Sequence, residues 1–317
     1  MEKIVCLLLI ALYGCSAAPA ELEIRETPTL DNVTTVAIHL VANDGQFPFM
    51  VSIQQRFEPG QLGHTCGGTL ISLQHVLTAA SCLYQTTSGS PVLINPQFYR
   101  VFGGHRSLGN NMNDPDRVRM IENFTIHPDF VGNNQHLNDI AIITLDSPFV
   151  AGQYLQPLPL PEQDEQPSEQ EGDCTICGWG KKTADTSLMQ NSLTYAPKTV
   201  LNQTECIAEY YTKFNIPTAM DENMVCAAST RSLTYGCPGD EGGPLVCNKR
   251  LAGVLFTSVR CGISTDPLLY TRVSPYANWA KGVVGEPLST SSSATFQPGV
   301  ALVFMLAVKQ FVATFSF

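Results

Sequence analysis

Cys237-Pro238-Gly239-Asp240-Glu241-Gly242-Gly243-Pro244 is the stretch that organises the reading of this 317-residue chain. It sets two adjacent carboxylates among glycines, next to a cysteine. Two other stretches belong with it: Leu77-Thr78-Ala79-Ala80-Ser81-Cys82 and Asn138-Asp139-Ile140-Ala141-Ile142. At the start of the chain, residues 1–18 carry a lysine, then an apolar run from Ile4 to Leu12, then Ser16-Ala17-Ala18, the pattern of a secretory leader. Of the eleven cysteines, Cys6 and Cys15 fall inside that leader, and the nine that follow imply an oxidising compartment.

The three stretches resemble the trypsin- and chymotrypsin-like serine protease family. There, a Gly-Asp-Ser-Gly-Gly-Pro loop presents a serine hydroxyl beside backbone N–H groups that stabilise an oxyanion, and Leu-Thr-Ala-Ala-His-Cys supplies the general base. Glu241 stands in the serine's place and Ser81 in the histidine's. A carboxylate does not attack a carbonyl as that hydroxyl does, and its charge repels the oxyanion the loop is built to hold. A serine hydroxyl has no basicity near neutral pH. Asp139 matches the carboxylate that orients the histidine, and on this reading it has nothing left to orient. Losing one triad member already costs on the order of a million-fold in such an enzyme. The resemblance, which covers Val36 to Val284, therefore implies a catalytically inactive homologue. Its fold is all-β, two six-stranded antiparallel barrels of trypsin type with a C-terminal helix.

The same resemblance implies four disulfides: Cys66 with Cys82, Cys174 with Cys247, Cys206 with Cys226, and Cys237 with Cys261. Cys177 is left over, either as a buried thiol or as a handle for an intermolecular bond. Cys174-x-x-Cys177 runs into Gly178-Trp179-Gly180, similar to a barrel strand of the family and unlike a zinc ligand pair. Gly104 replaces an acid that binds calcium in several relatives. No metal and no cofactor are expected.

In the family, cleavage after a basic residue frees an Ile-Val-Gly-Gly terminus that pairs with the aspartate beside the nucleophile. Here the matching residues are Val36-Ala37-Ile38-His39, preceded by Thr35, so the cut is not expected. Asp240 would then be a buried carboxylate without its ammonium, a state that costs several kcal/mol or forces protonation. His64, where relatives carry a histidine that binds this aspartate in the uncleaved precursor, is the expected partner. A permanent Asp240–His64 pair would give a precursor-like shape.

The substrate cleft is altered too. Tyr235 takes the place at the base of the specificity pocket, Leu268 replaces a wall glycine, and Phe256-Thr257-Ser258 replaces the Ser-Trp-Gly edge. Added bulk should fill the hole. Gly239 keeps the backbone donor of the oxyanion hole, although without the freed terminus it is expected to be misdirected.

The chain divides into a leader (1–18), a short N-terminal segment (19–35), the trypsin-like domain (36–284), a Ser/Thr/Pro linker (285–298) and an apolar tail (299–317). Within the domain, Met50–Gln54, Gly68–Thr78, Arg100–Phe102 and Ile140–Thr144 read as strands, residues 147–173 as an acidic connector, and Ser274–Val284 as a helix. Three sequons, at Asn32, Asn123 and Asn202, are acceptors for N-glycans. The tail is compatible with a glycolipid-anchor signal, a membrane span, or the end of a merely secreted chain.

A formal net charge of −10 disfavours nucleic acid and heparin-like partners. The expectation is a secreted or surface-attached binding or regulatory protein acting as decoy, scaffold or cofactor. Its partners would be extracellular proteins: proteases, inhibitors or surface ligands. Two enzymatic alternatives remain, a weak serine-type endopeptidase using Ser81 or another hydroxyl, and a hydrolase built on the carboxylates Glu241 and Asp139.

Overall fold

The computed structural model describes residues 22–26, 36–56, 62–87, 89–109, 114–132, 136–167, 169, 173–181, 189–214, 220–229, 236–257, 261 and 266–285. The leader, Asn32, Tyr235, Ser258, the side chain of Thr257, the linker beyond Gly285 and the apolar tail lie outside them.

Leu22–Glu26 (β1) and Val36–Val41 (β2) pair antiparallel, with Val36 opposite Glu26 and His39 opposite Glu23. The segment matching the family's freed terminus is thus part of a ladder. Next come Met50–Arg56 (β3), Leu62–Leu70 (β4) and His75–Thr78 (β5). The single strand expected over Gly68–Thr78 is two strands. Leu70 ends the first, and Ile71 and Ser72 both donate to the His75 carbonyl, closing a tight turn. Tyr84–Thr87 (β6) and Ser90–Leu93 (β7) make a separate hairpin. Tyr99–Gly103 (β8), Val118–Ile126 (β9) and Ala141–Leu145 (β10) complete a closed barrel of order β10-β5-β4-β3-β8-β9. The registers put Val51, Ile53, Leu70, Val76, Val101 and Ile143 on one face of its strands, all fully buried.

The second barrel is built from Cys174–Gly178 (β11), Thr194–Leu201 (β12), Met224–Ala228 (β13), Pro244–Cys247 (β14), Arg250–Thr257 (β15) and Leu268–Arg272 (β16). Its order is β12-β11-β14-β15-β16-β13, closed by pairing of β12 with β13. The β1–β2 pair extends this sheet, with Leu40 and Val41 against Tyr195 and Thr194. Strict alternation along β12 turns Thr194, Ala196, Lys198 and Val200 inward, as the two-residue period of a strand requires. A lysine therefore points into the barrel core. Where β15 meets β16, the register shifts between Leu255 and Thr257, which leaves Phe256 outside the ladder. Such bulges re-aim side chains near functional sites.

Gln203–Phe214 (α1) was not foreseen from the sequence. Asn202 caps it by accepting the Glu205 N–H at 2.9 Å, and Cys206 and Tyr210, four apart, form its buried face. Asn202-x-x-Glu205 is itself a start signal for a helix. Ser274–Tyr276 make a turn of 3₁₀ helix that leads into Ala277–Val284 (α2), which ends at Gly285 with φ 79°. Tyr276 and Trp279 pack edge-on against His127 of the first barrel at 4.9 and 5.1 Å. The expected closing helix is present and ties the two barrels together.

Candidate functional site: the Gly239 to Glu241 loop between the barrels

The four expected disulfides are formed: Cys66–Cys82, Cys174–Cys247, Cys206–Cys226 and Cys237–Cys261. Cys177 is a buried free thiol, and burial, with the Asp240 charge, pushes its pKa well up. It is therefore unreactive in the folded chain.

Cys237 anchors the loop that carries Gly239, Asp240 and Glu241. Asp240 N–H donates to the Cys237 carbonyl at 2.9 Å and Gly243 N–H to the Asp240 carbonyl at 3.0 Å, folding it into consecutive turns. Gly242 is required here. Its φ is 77°, and a Cβ would collide with the Thr78 hydroxyl and the Gly67 carbonyl of the other barrel. The two barrels meet closely at this point, with Gly67 N–H donating to the Glu241 carbonyl at 2.7 Å.

The Asp240 side chain is 2% exposed and lies over Gly178 and Gly180, where any Cβ would strike its carboxylate. It accepts N–H bonds from Gly180 at 2.8 Å and Cys237 at 3.1 Å. Burial raises its pKa to about 6, while these N–H groups and the charge of Lys198 pull the other way. Lys198, 1% exposed, has its ammonium lowered to about 8 by burial, with Asp240 opposing.

His64 does not pair with Asp240. Its Nε2 lies 2.7 Å from the Gly239 carbonyl and its Nδ1 2.7 Å from the Ser52 hydroxyl. A carbonyl only accepts, so Nε2 carries the proton and Nδ1 accepts from Ser52. Burial lowers the imidazole pKa to about 4, with the Gly239 carbonyl working against it. The expected precursor-like pair is replaced for a physical reason. A neutral buried imidazole and a carboxylate held by backbone N–H groups avoid desolvating two charges.

Glu241 also departs from expectation. The Gly239 N–H donates to Glu241 Oε2 at 2.7 Å, and the Glu241 carboxylate is also held by its own N–H. The loop's backbone N–H groups are thus met by the loop's own Glu241 side chain. Burial raises this carboxyl to about 7; the two N–H groups lower it, and the Asp240 charge adds a smaller rise.

On the first barrel, Asp139 is fully buried and accepts the Ser81 N–H at 2.7 Å on Oδ1. Its Oδ2 lies 2.9 Å from His136 Nδ1. Asp139 therefore does orient an imidazole, supplied three residues upstream. His136 has φ 50°, which turns its ring back toward Asp139. The ring stacks on Phe256, with centroids 5.2 Å apart and planes 22° from parallel. Asn138 and Asp139 are fixed from the second barrel by the Tyr276 hydroxyl at 2.6 Å and the Thr271 hydroxyl at 2.9 Å. Sequence reading missed His136; the trace available was a histidine three residues before a buried aspartate.

Leu268 is 1% exposed and packs on Gly236, which has no room for a Cβ. Phe256 is buried on the bulge of β15. Among the described residues no cluster of three metal-ligating side chains is present. Asn123 is exposed on β9 opposite Thr144, and Asn202 is exposed at the start of α1.

Residues 39–280 match the trypsin family. The chain belongs to the trypsin family. Urokinase-type plasminogen activator of Gallus gallus is 34% identical over 225 residues, covering 68% of this chain and 49% of that protein. Anionic trypsin of Canis lupus familiaris is 29% identical over 279 residues, covering 88% of this chain and 97% of that one. This trypsin-family chain thus spans about half the length of the first relative and nearly all of the second. Among solved structures, human heparin binding protein matches with TM-score 0.62 and 27% identity, over 78% of this chain and 96% of that one. Neuropsin, a serine protease expressed in the limbic system of mouse brain, matches equally well, with TM-score 0.62 and 28% identity, over 78% of this chain and 98% of that one. The two-barrel fold with its C-terminal helix is that of these proteins.

Proposed function

We propose that this trypsin-family chain is a non-catalytic, secreted or surface-tethered protein that binds or regulates other extracellular proteins. One observation carries the reading: the Glu241 carboxylate occupies the loop's own backbone donors, Gly239 N–H among them at 2.7 Å. A substrate carbonyl would need those donors at the moment of attack. Leu268 adds support by filling the space against Gly236. The neighbour named for heparin binding illustrates that a protein of this fold can be a binder. Here, a net charge of −10 directs the choice away from polyanions and toward proteins met through surface loops. Four disulfides accord with the oxidising route that such a role requires.

His136 favours a second reading, a weak serine-type hydrolase in which an imidazole oriented by Asp139 activates a hydroxyl in the cleft. The carboxylate-pair hydrolase gains no such support, because Asp139 and Glu241 are each spent on separate partners.

A fluorophosphonate probe and a panel of fluorogenic peptides, applied to the chain purified from expressing cells, decide between the two. The binding reading expects neither labelling nor turnover. Labelling that disappears in His136→Ala would establish the hydrolase instead.

A further inference from the structure

A cleft of about 290 Å³ opens at the end of β12, between the start of α1, the start of β13 and the connector around Pro167. It lies apart from the oxyanion loop and plays no part in the reading above. Asn202 lines it, and Asn202 is also the acceptor of the sequon Asn202-Gln203-Thr204. We infer that Asn202 carries an N-linked glycan whose first N-acetylglucosamine lies in this cleft.

The amide of Asn202 is oriented for this. Its Oδ1 accepts the Glu205 N–H at 2.9 Å, which holds the oxygen toward the helix and turns Nδ2 away from it. N-glycosylation uses that nitrogen, so the modification leaves the helix cap intact. Both Asn202 and Thr204 are exposed. Asn123, by contrast, sits within the β9–β10 ladder and does not line this cleft.

The chemistry of the cleft fits a neutral, hydroxyl-rich ring tethered at its edge. Arg272 lines it as the cleft's one cationic side chain. Glu169 and Glu222 supply acceptors for sugar hydroxyl protons. One guanidinium against two carboxylates leaves the lining net negative, which disfavours a free anion. Met220 and Met224 give an apolar wall for the sugar's C–H face. The volume stands near the lower bound of small-molecule sites, suited to one or two rings.

The inference requires passage through the secretory route, on which the proposed function also rests, but not absence of catalysis. It is tested on full-length chain made in glycosylating cells. Peptide mapping after enzymatic deglycosylation should find Asn202 converted to aspartate. Thr204→Ala should lose one glycan while keeping the helix cap, and Thr204→Ser should keep it. Seating is read from peptide N-glycosidase release at Asn202 under native conditions. Release should run about tenfold slower than at an unseated site, the worth of one or two hydrogen bonds, and Glu169→Ala combined with Glu222→Ala should remove that protection. An unmodified Asn202 in the secreted chain overturns the inference. Native release as fast as from the denatured chain overturns the seating. If Asn202 is glycosylated on a chain that proves catalytic, this inference stands while the proposed function falls.

Discussion

The Gly239 N–H donates to Glu241 Oε2 at 2.7 Å, so a carboxyl two residues along the same loop takes up this backbone donor. The acceptor is part of the loop itself, so this hydrogen bond needs no bound molecule to form.

On the proposed reading, Ser81→His with Glu241→Ser supplies the two missing triad side chains and frees the Gly239 N–H. The double variant should take up a fluorophosphonate probe that the native chain ignores, yet remain poor toward peptides because Leu268 still packs on Gly236. Adding Leu268→Gly should raise kcat/KM on the order of 100-fold, the span that steric discrimination in an apolar pocket reaches. Probe labelling and peptide kinetics on the three proteins check this, and equal peptide turnover with and without Leu268→Gly would show that the pocket is open.

Stability should fall as pH rises through the Glu241 titration. Burial lifts this carboxyl from 4.5 to about 7 in the folded chain. Between those values the folded state holds a proton that the unfolded state has released, so its contribution is complete below pH 4.5 and lost by about 7. Glu241→Gln lacks the titration and should gain about 1–3 kcal/mol relative to the native chain on going from about pH 5 to about pH 8. Urea unfolding of both proteins at the two pH values measures the difference, in which the titrations of Asp240 and His64 largely cancel.

His64 has the opposite sign. Its imidazole is held at about 4 against an ordinary 6.5, so stability is present above 6.5 and is lost as pH falls toward 4. His64→Gln should flatten that acid limb while costing about 1–3 kcal/mol near neutral pH, because the bonds to Ser52 and Gly239 are buried. Equilibrium unfolding across that acid range tests both parts, and an unchanged acid limb would place the proton elsewhere.

His136→Ala should destabilise by about 1–3 kcal/mol, since it strips one oxygen of the buried Asp139 carboxylate of its partner and removes the ring stacked on Phe256. Asp139→Asn in the His136→Ala background should recover part of the loss by discharging the orphaned group. Denaturant melts of the single and double variants measure the coupling, and strictly additive costs would mean the pair contributes nothing.

Chemistry local to a few residues is legible in the sequence. The Cys237–Pro244 loop, the Leu77–Cys82 motif and the alternating or apolar barrel strands lie within short windows whose chemistry is set by the residues themselves, whereas the cysteine pairing, which reaches across 73 residues for Cys174 and Cys247, was legible only through the family resemblance. Even α1, which the sequence reading missed, has a local trace in Asn202 and Glu205. That trace is faint because the helix has low mean hydropathy and its buried face is only Cys206 and Tyr210.

The sequence by itself determined the family and the fold class, and it placed Ser81, Asp139 and Glu241 in the three motifs from which the proposed function is argued. Only the tertiary structure decided which groups these side chains meet: Glu241 on the Gly239 N–H, His136 on Asp139, and His64 on the Gly239 carbonyl, 175 residues away, instead of on Asp240. Each of these is a choice among competing partners for a buried polar group. That choice follows from desolvation and from which donors the packed barrels leave unsatisfied, neither of which is a property of any short stretch of chain.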